Sequence, residues 1–347
     1  MRIYIYRGGE KLVGKSGVGQ AMQHQRESLH RAGISPADHW AQDVGAIHVN
    51  TVLPDSVAAA LGAKLRGKKV VWYGHSTMED FRDSFKGSNL LAPLFRRWIT
   101  FCYGLGDVVI TPTEYSRDLL KTYGLRRPVY PLSNGVDTAF FHPDKALGAA
   151  FRRRYGLGDG EKAVISVGHT IARKGLPEFL EMARRMPAAQ FFWFGWTDPR
   201  LVPAAIREAM DQAPANVRFP GFVDRGQLRE AYCGADVFAF LSHEETEGIV
   251  VLEALSCGIP TVVRDIPVYQ DWLEDGKNVY KAADTDGFCR LVEGLLDGAL
   301  PDLTAAGEQV AAERSLEAVG RQLREIYRQE RILPPLPAPL SPRRVNV

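Results

Sequence analysis

The feature that most constrains this chain is an alternation of short apolar, often β-branched runs with longer segments of helical period. The runs predicted as strands in the first part are Ile3–Tyr6, Ala46–Val49, Lys69–Tyr73, Val108–Thr111 and Pro128–Pro131. The pattern then restarts, with predicted strands at Ala163–Val167, Gln190–Phe194, Val217–Phe219, Val237–Leu241 and Thr261–Val263. Helices are predicted between them, at Val18–Ala32, Leu90–Cys102, Ser116–Tyr123, Leu176–Arg185, Arg225–Cys233, Gly248–Ser256 and Asp286–Leu296. Strands that alternate with helices form parallel sheets, so an α/β fold of two Rossmann-like domains facing a central cleft is predicted.

A length of 347 residues fits two domains. The first is predicted over 1–137 and the second over 138–331, joined near Asn134–Asp144. Residues 332–347 are predicted to form a loose tail, because their closely spaced prolines are incompatible with a helix.

Charge is distributed unevenly between the two halves. The first 140 residues carry 18 Lys and Arg against 12 Asp and Glu, while the whole chain has a net charge of only +2. A basic first half favours an anionic partner, either a phosphorylated ligand or an anionic membrane surface. The excess is too small to indicate a nucleic-acid partner.

Four scattered cysteines argue against disulfide stapling and structural zinc. The first residues lack the apolar core of a signal peptide, and no run of 18 apolar residues is present. A cytoplasmic protein is therefore expected, with membrane contact only at the inner face of the cell membrane.

The segment from Ser242 to Pro260 carries the most chemistry. Glu245 and Glu253 lie eight residues apart, and Gly248 opens an apolar helix between them. Both carboxylates can then reach a ligand at the helix N-terminus, where free amides suit a diphosphate. The spacing alone favours a structural alternative to ligand binding. In that alternative one Glu caps the helix at the surface, and the other lies in the helix and pairs with a basic neighbour.

Further motifs favour ligand binding by Glu245 and Glu253 over the structural alternative. The segment resembles the E-x7-E motif of family-4 retaining glycosyltransferases of the GT-B fold, with Glu245, Gly248, Glu253, Ala254 and a Gly258-Ile259-Pro260 turn. Other elements resemble the same family in the same order: Ser133-Asn134-Gly135-Val136-Asp137, Val167-Gly168-His169 with Arg173-Lys174-Gly175, and Pro220-Gly221-Phe222-Val223. The resemblance extends from the first strand to a helix near Glu330.

The resemblance implies roles for these residues. Glu245 would hold donor-sugar hydroxyls and Glu253 the ribose hydroxyls, while Lys174 and Arg173 would neutralise the leaving diphosphate. The remaining donor-binding residues implied are Gly17, Gly19, Gly221, Phe222, Gly248, Ile249 and Val250. His169 departs from the family, where Arg is common. The alternative for Lys174 is a solvated lysine at a helix start.

His75 directly follows the predicted strand Lys69–Tyr73, at the strand end where open α/β sheets bind ligands. The matching family histidine lies beside the reacting sugar, so His75 joins Lys174 and Glu245 as a predicted catalytic residue. The alternative is a histidine satisfied within the core.

Asp284-Thr285-Asp286 has the D-x-D form often linked to metals. It precedes a predicted helix, where capping is the natural role. No metal site is therefore predicted there. The resemblance to GT-B glycosyltransferases implies no cofactor and no obligatory metal, with a UDP-sugar as co-substrate.

The stretch from His75 to Asn89 is similar to bacterial diacylglycerol glycolipid synthases of Gram-positive organisms. The segment that follows is amphipathic, and predicted acceptor or membrane contacts are Arg82, Lys86, Arg96, Arg97 and Trp98. The alternative is an ordinary helix that packs its apolar stripe inward.

The activity that the resemblance implies is retaining transfer of glucose or galactose from UDP-glucose or UDP-galactose to a membrane glycolipid. In length the chain is more similar to the second-sugar glycolipid synthases than to the longer first-step enzymes, which favours α-glucosyl-diacylglycerol as acceptor. Alternatives are a diacylglycerol 3-glucosyltransferase, an enzyme of cell-wall or polysaccharide synthesis, a nucleotide-sugar epimerase of the same fold, and a two-domain sugar-binding protein.

Overall fold

The first half of the chain forms a six-stranded parallel sheet. The computed structural model describes residues 2–9, 17–84 and 87–333. The strands are β1 (Arg2–Ile5), β2 (Ser35–Ala37), β3 (Val44–Val49), β4 (Lys69–Tyr73), β5 (Val108–Thr111) and β6 (Val129–Pro131), in the order β2-β1-β3-β4-β5-β6. The helices between them are α1 (Gly17–Arg31), α2 (Pro54–Leu65), α3 (Met78–Phe81), α4 (Ser88–Gly104) and α5 (Glu114–Thr122).

The second half forms another six-stranded parallel sheet. Its strands are β7 (Lys162–Val167), β8 (Ala189–Phe194), β9 (Val217–Gly221), β10 (Val237–Phe240), β11 (Thr261–Arg264) and β12 (Tyr280–Ala282), in the order β12-β11-β10-β7-β8-β9. Its helices are α6 (Lys145–Tyr155), α7 (Leu176–Arg185), α8 (Ala204–Asp211), α9 (Arg225–Gly234), α10 (Ile249–Ser256), α11 (Thr285–Leu296), α12 (Thr304–Glu313) and α13 (Leu316–Gln329). The predicted α/β fold with two Rossmann-like sheets is confirmed.

Each sheet is covered on both faces, which explains why its central strands are apolar along their whole length. Around the first sheet, Val71 and Ile110 lie in one core, and Trp72 lies in the core on the opposite face. Phe192 and Trp193 occupy opposite cores of the second sheet in the same way. These buried sheets hold the strand ends, and therefore the site, in place.

Strand order reverses once in each sheet. The reversal lies between β1 and β3 in the first sheet and between β7 and β10 in the second. Open parallel sheets bind ligands outside the carboxyl ends of strands at such reversals, because the connecting helices diverge there. A pair of ligand-binding edges is therefore expected, one from each domain.

Helix α13 packs on the first sheet. Val319, Leu323 and Tyr327 share a core with Ile3 and Ile5. Just before α13, Ser315 forms an isolated β-bridge with Val136, where the chain returns to the first domain. Ile332, the first apolar residue of the predicted tail, is also buried in this core. The limits 1–137 and 138–331 remain a prediction, but the packing assigns α13 to the first domain's core.

Helix ends follow local capping chemistry. Asp284 Oδ1 accepts a hydrogen bond from Gly287 N at 2.8 Å, and Asp286 pairs with Arg185 on the surface. The capping role predicted for Asp284-Thr285-Asp286 is confirmed. Across the described ranges, no group of three or more His, Cys, Asp or Glu side chains could hold a metal ion. In the same ranges, no helix is both long and apolar enough to cross a membrane.

Candidate active site

A cavity of about 590 Å³ lies between the two domains, at the strand ends described above. Lys174 follows β7 and Glu245 follows β10, so the strand reversal of the second sheet brings them together. The predicted residues that line it are Gly17, Gly19, His75, Arg173, Lys174, Phe222, Glu245, Gly248, Ile249 and Val250. Gly221 and Glu253 are not among the lining residues.

Glu245 and Lys174 form a buried ion pair within the second domain. Lys174 Nζ donates to Glu245 Oε1, and the two side chains are only 13% and 9% exposed. Burial opposes ionisation of the Glu245 carboxyl, but the cations Lys174 and Arg173 outweigh it and hold its pKa below the usual value. Burial also lowers the pKa of Lys174. The pair gives the cavity an anion and a cation side by side.

Two glycines allow this arrangement. Gly175 has φ of +80°, and a Cβ there would collide with the Leu241 carbonyl, so the turn carrying Lys174 lies directly against the end of β10. Gly248 has φ of +90° and begins α10 without a side-chain cap. The first amides of α10 are therefore left for a ligand in the cavity, and an anion suits them.

Glu253 lies inside α10 and is 1% exposed. Gln20 Nε2, from the first domain, donates to Glu253 Oε1, and the Tyr232 hydroxyl donates to Oε2 at 3.2 Å. Burial raises the pKa of Glu253 to about 7. Gln20 occupies an oxygen that the sequence-based prediction reserves for a ribose hydroxyl.

The first domain contributes His75 at the end of β4. His75 Nε2 lies 2.9 Å from Asn50 Oδ1, and Gln25 Nε2 donates to the same oxygen at 2.6 Å. Because an amide oxygen only accepts, His75 donates from Nε2. Burial lowers the pKa of His75 to about 4, so its imidazole is neutral at neutral pH.

The two domains touch through the loop between β10 and α10. The Tyr115 hydroxyl donates to Glu244 Oε1 at 2.9 Å, and Thr113 Oγ1 donates to the Thr246 carbonyl at 3.0 Å. Asn134 Nδ2 donates to Glu247 Oε2 at 2.8 Å. The first domain thus contacts the loop that carries Glu245 on either side of that residue in sequence, at Glu244, Thr246 and Glu247.

The predicted membrane contacts divide into two groups. Arg82 and Arg97 are exposed, whereas Arg96 donates to the Thr122 carbonyl at 2.8 Å and lies over the Tyr123 ring. Trp98 is half-buried and donates to the Val52 carbonyl at 2.7 Å. The Arg96 guanidinium is thus used within the domain, and its contact with an acceptor or membrane stays a prediction, as do those of the other residues. Lys86 lies outside the described residues.

Sequence reasoning missed several cavity residues. Gln20, Asp80, Trp196 and Arg225 also line the cavity. Gln20, Gln23 and His24 follow the spacing of one helix face, and that polar stripe is the signal that could have found Gln20. Glu244, next to the predicted Glu245, was missed because its role depends on Tyr115 from the other domain.

Comparison with known proteins follows the same division into two domains. Residues 21–140 match the family described as Glycosyltransferase Family 4, and residues 149–309 match Glycosyl transferases group 1. The chain belongs to the family-4 glycosyltransferases and is a glycosyltransferase of the GT-B fold, as the sequence motifs predict.

Among its relatives is the processive diacylglycerol alpha-glucosyltransferase of Acholeplasma laidlawii. The two are 36% identical over 95% of this chain and 98% of the relative. The alpha-galactosylglucosyldiacylglycerol synthase of Streptococcus pneumoniae is 26% identical over 96% of this chain and 91% of the relative.

A similar fold is seen in Anabaena Alr3699/HepE in complex with UDP and glucose, with a TM-score of 0.76 and 14% identity over 94% of this chain and 99% of that chain. Sucrose-phosphate synthase from Thermosynechococcus elongatus has a TM-score of 0.70 and 21% identity over 82% of this chain and 73% of that chain. These likenesses concern the fold alone.

Proposed function

We propose that this enzyme moves a hexose from a UDP-sugar to a diacylglycerol-type lipid, either diacylglycerol or its glucosylated form. The observation that carries the proposal is the buried Lys174–Glu245 pair beside the free N-terminus of α10. A cation and helix amides suit a diphosphate, and a carboxylate suits sugar hydroxyls. The names of the two lipid glycosyltransferases above support the acceptor class, and HepE in complex with UDP supports the donor class.

Roles follow from the positions of the side chains. Glu245 accepts hydrogen bonds from donor-sugar hydroxyls, Lys174 and Arg173 neutralise the diphosphate, and Glu253 binds ribose once Gln20 has moved. The imidazole of His75 is neutral, so it adds no net charge to the site, and it orients the sugar through hydrogen bonding. No divalent metal is required in this scheme, because Lys174 and the helix amides supply the positive charge.

The reaction proposed is a retaining, front-face substitution. The bond between the anomeric carbon and the UDP phosphate oxygen breaks, and a bond to the acceptor hydroxyl oxygen forms on the same face. The proton of the acceptor hydroxyl passes to the departing phosphate oxygen. Contact between the domains excludes water, which limits hydrolysis of the donor.

The acceptor side of the molecule carries an exposed apolar face on α4. Leu90 is 86% exposed and Leu94 65%, and Phe101 continues the same face. Exposed Arg97 lies among them at helical spacing. We propose that this face rests in an anionic membrane surface on the cytoplasmic side, where the lipid acceptor is found.

The test of the activity is hexose transfer by the purified protein. UDP-glucose and UDP-galactose are offered separately, with liposomes containing diacylglycerol, glucosyl-diacylglycerol or neither. Glucose on diacylglycerol identifies the first-sugar reaction, and galactose only on glucosyl-diacylglycerol identifies the second. The absence of a lipid product with both donors would contradict the proposed acceptor and leave cell-wall or polysaccharide acceptors to be tried.

The test of the membrane face is sedimentation with phosphatidylglycerol vesicles. Arg97→Glu should weaken sedimentation at low salt, whereas Arg126→Glu, an exposed charge reversal outside α4, should change it less. Equal effects of the two variants would mean that net charge, and not the α4 face, determines vesicle binding.

A further inference from the structure

Arg173 reaches across the cleft from the second domain to the first. Its Nη1 lies 2.8 Å from Asp80 Oδ1, and its Nε donates to Ser84 Oγ at 3.1 Å. Nη1 also donates to the Glu244 carbonyl at 2.6 Å. The Arg173 side chain is only 9% exposed. An ion pair between domains therefore lies within the cavity, next to Lys174.

Asp80 is held in place by its own segment. Its N–H donates to Thr77 Oγ1 at 3.0 Å, and its carbonyl accepts a hydrogen bond from Ser84 Oγ at 2.7 Å. Thr77 is buried, and the N–H of Met78 donates to the Tyr123 hydroxyl at 2.9 Å. The carboxylate of Asp80 thus projects into the cavity from a backbone fixed at both ends.

Arg173 in turn fixes the loop that carries Glu245. The N–H of His243 donates to the Arg173 carbonyl at 2.8 Å, while the guanidinium binds the Glu244 carbonyl. The two residues that precede Glu245 are therefore attached to the residue that precedes Lys174. A shift of Arg173 would change the alignment of Lys174 with Glu245.

A carboxylate beside a diphosphate site is unfavourable for donor binding, because like charges repel. Asp80 occupies such a place, and Glu79 lies nearby. A residue there that served donor binding would be expected to carry no negative charge. The contribution of Asp80 to transfer must therefore come from its effect on Arg173.

We propose that Asp80 is a positioning residue for transfer, which draws Arg173 across the cleft and thereby aligns Lys174 and Glu245 when the domains are in contact. The inference rests on the proposed function, since the aligned pair is the one assigned to the donor. Asp80 itself touches neither donor nor acceptor in this scheme. Its effect is exerted on turnover and not on donor affinity.

The test compares Asp80→Asn with Asp83→Asn. Both remove one negative charge from the same segment, but Asp83 is exposed and bonds only to nearby Asn89 among the contacts described. Asp80→Asn should lower kcat by about tenfold or more, while the Kd for UDP stays within about threefold of wild type or tightens. Asp83→Asn should leave both unchanged, and Asp80→Glu, which keeps the charge, should recover part of the lost kcat.

A double variant separates positioning from a general loss of structure. Once Arg173→Gln has removed the partner, adding Asp80→Asn should cost less than about threefold more in kcat. Independent losses that multiply would overturn the proposal. So would a Kd for UDP that weakens as much as kcat falls.

Hydrogen exchange provides a readout that does not need activity. Without ligand, Asp80→Asn should speed exchange of the His243 amide, and Asp83→Asn should not. If the wild-type protein transfers no hexose, the proposed function fails while exchange still tests the link from Asp80 to the Glu245 loop. Unchanged exchange in Asp80→Asn would overturn the link itself.

Discussion

Glu245 and Glu253 belong to the same motif and are both buried, yet their surroundings give them opposite properties. Glu245 is paired with the cation Lys174 of its own domain, and the pKa of its carboxyl is lowered despite burial. Glu253 receives hydrogen bonds from two neutral groups, and burial raises its pKa to about 7. A neutral donor compensates a buried charge less than a cation does. Residue type and spacing therefore do not determine the charge of a site.

The two carboxylates also differ in what holds them. Lys174 comes from the same domain as Glu245, so this pair persists whether or not the domains touch. Gln20 comes from the other domain, so its bond to Glu253 exists only when they touch. In the proposed donor site Glu245 would keep its partner throughout, whereas Glu253 would exchange Gln20 for the donor.

The largest effect is expected from Glu245→Gln. Transfer should fall by about 10³-fold, in line with the loss of one electrostatic contact in an active site. Stability should fall by about 3 kcal/mol, because Lys174 is left buried without its counter-charge. Turnover and urea denaturation at neutral pH measure the two effects.

The control for this prediction is the double variant Glu245→Gln with Lys174→Met. It should regain much of the lost stability while remaining inactive, since no unpaired charge is left behind. A double variant that is less stable than Glu245→Gln would show that the ion pair is not the cause.

A smaller effect with a clear pH dependence is expected from Glu253→Gln. The raised pKa of Glu253 means that its protonated form stabilises the fold below about pH 4.5, and that this contribution is lost as the pH rises through about 7. The variant carries no such group. It should therefore be about 3 kcal/mol more stable than wild type at pH 8 and nearly equal to it at pH 4.5.

Urea denaturation at the two pH values measures this difference, and titration with UDP should show weaker binding by the variant. Glu245→Gln serves as the contrast, because the lowered pKa of Glu245 gives a contribution present at high pH and lost on acidification. The same stability difference at both pH values would contradict the raised pKa of Glu253.

The smallest effect is expected from Gln20→Ala. Stability should change by about 1 kcal/mol or less, because one hydrogen bond between domains is lost. The Kd for UDP should stay within about threefold of wild type, since ribose hydroxyls replace the Gln20 amide. Gln23→Ala, on the same helix and lining the same cavity, is the matched control. A much weaker Kd in Gln20→Ala alone would make the amide a part of the donor site.

Strands were predictable where they lie between two cores. Lys69–Tyr73 and Val108–Thr111 match the prediction residue for residue, because central parallel strands are apolar along their length. The edge strands Ser35–Ala37 and Tyr280–Ala282 were missed, because three residues are too few to show a period and neither strand contains a β-branched residue. The helix predicted near Glu330 is present as α13, but its packing on the first sheet was not predicted, because its partners lie at the opposite end of the chain.

The second-domain wall of the cavity was largely predictable, since its residues follow strands of one domain and fall within contiguous motifs. The proposed acceptor side was less so. Arg96 and Arg97 are neighbours of equal charge, yet one bonds within the domain and the other is exposed. Only the position of Thr122 distinguishes them.

The sequence by itself determined the two α/β domains, the family and the residues that follow β7 and β10, because these depend on periodicity and on contiguous motifs. The tertiary structure alone decided which carboxylate is paired with a cation, which arginine crosses the cleft to Asp80, and where α13 packs. Each of these depends on contacts between residues far apart in the chain. Burial and charge pairing are properties of such contacts, and no local pattern encodes them.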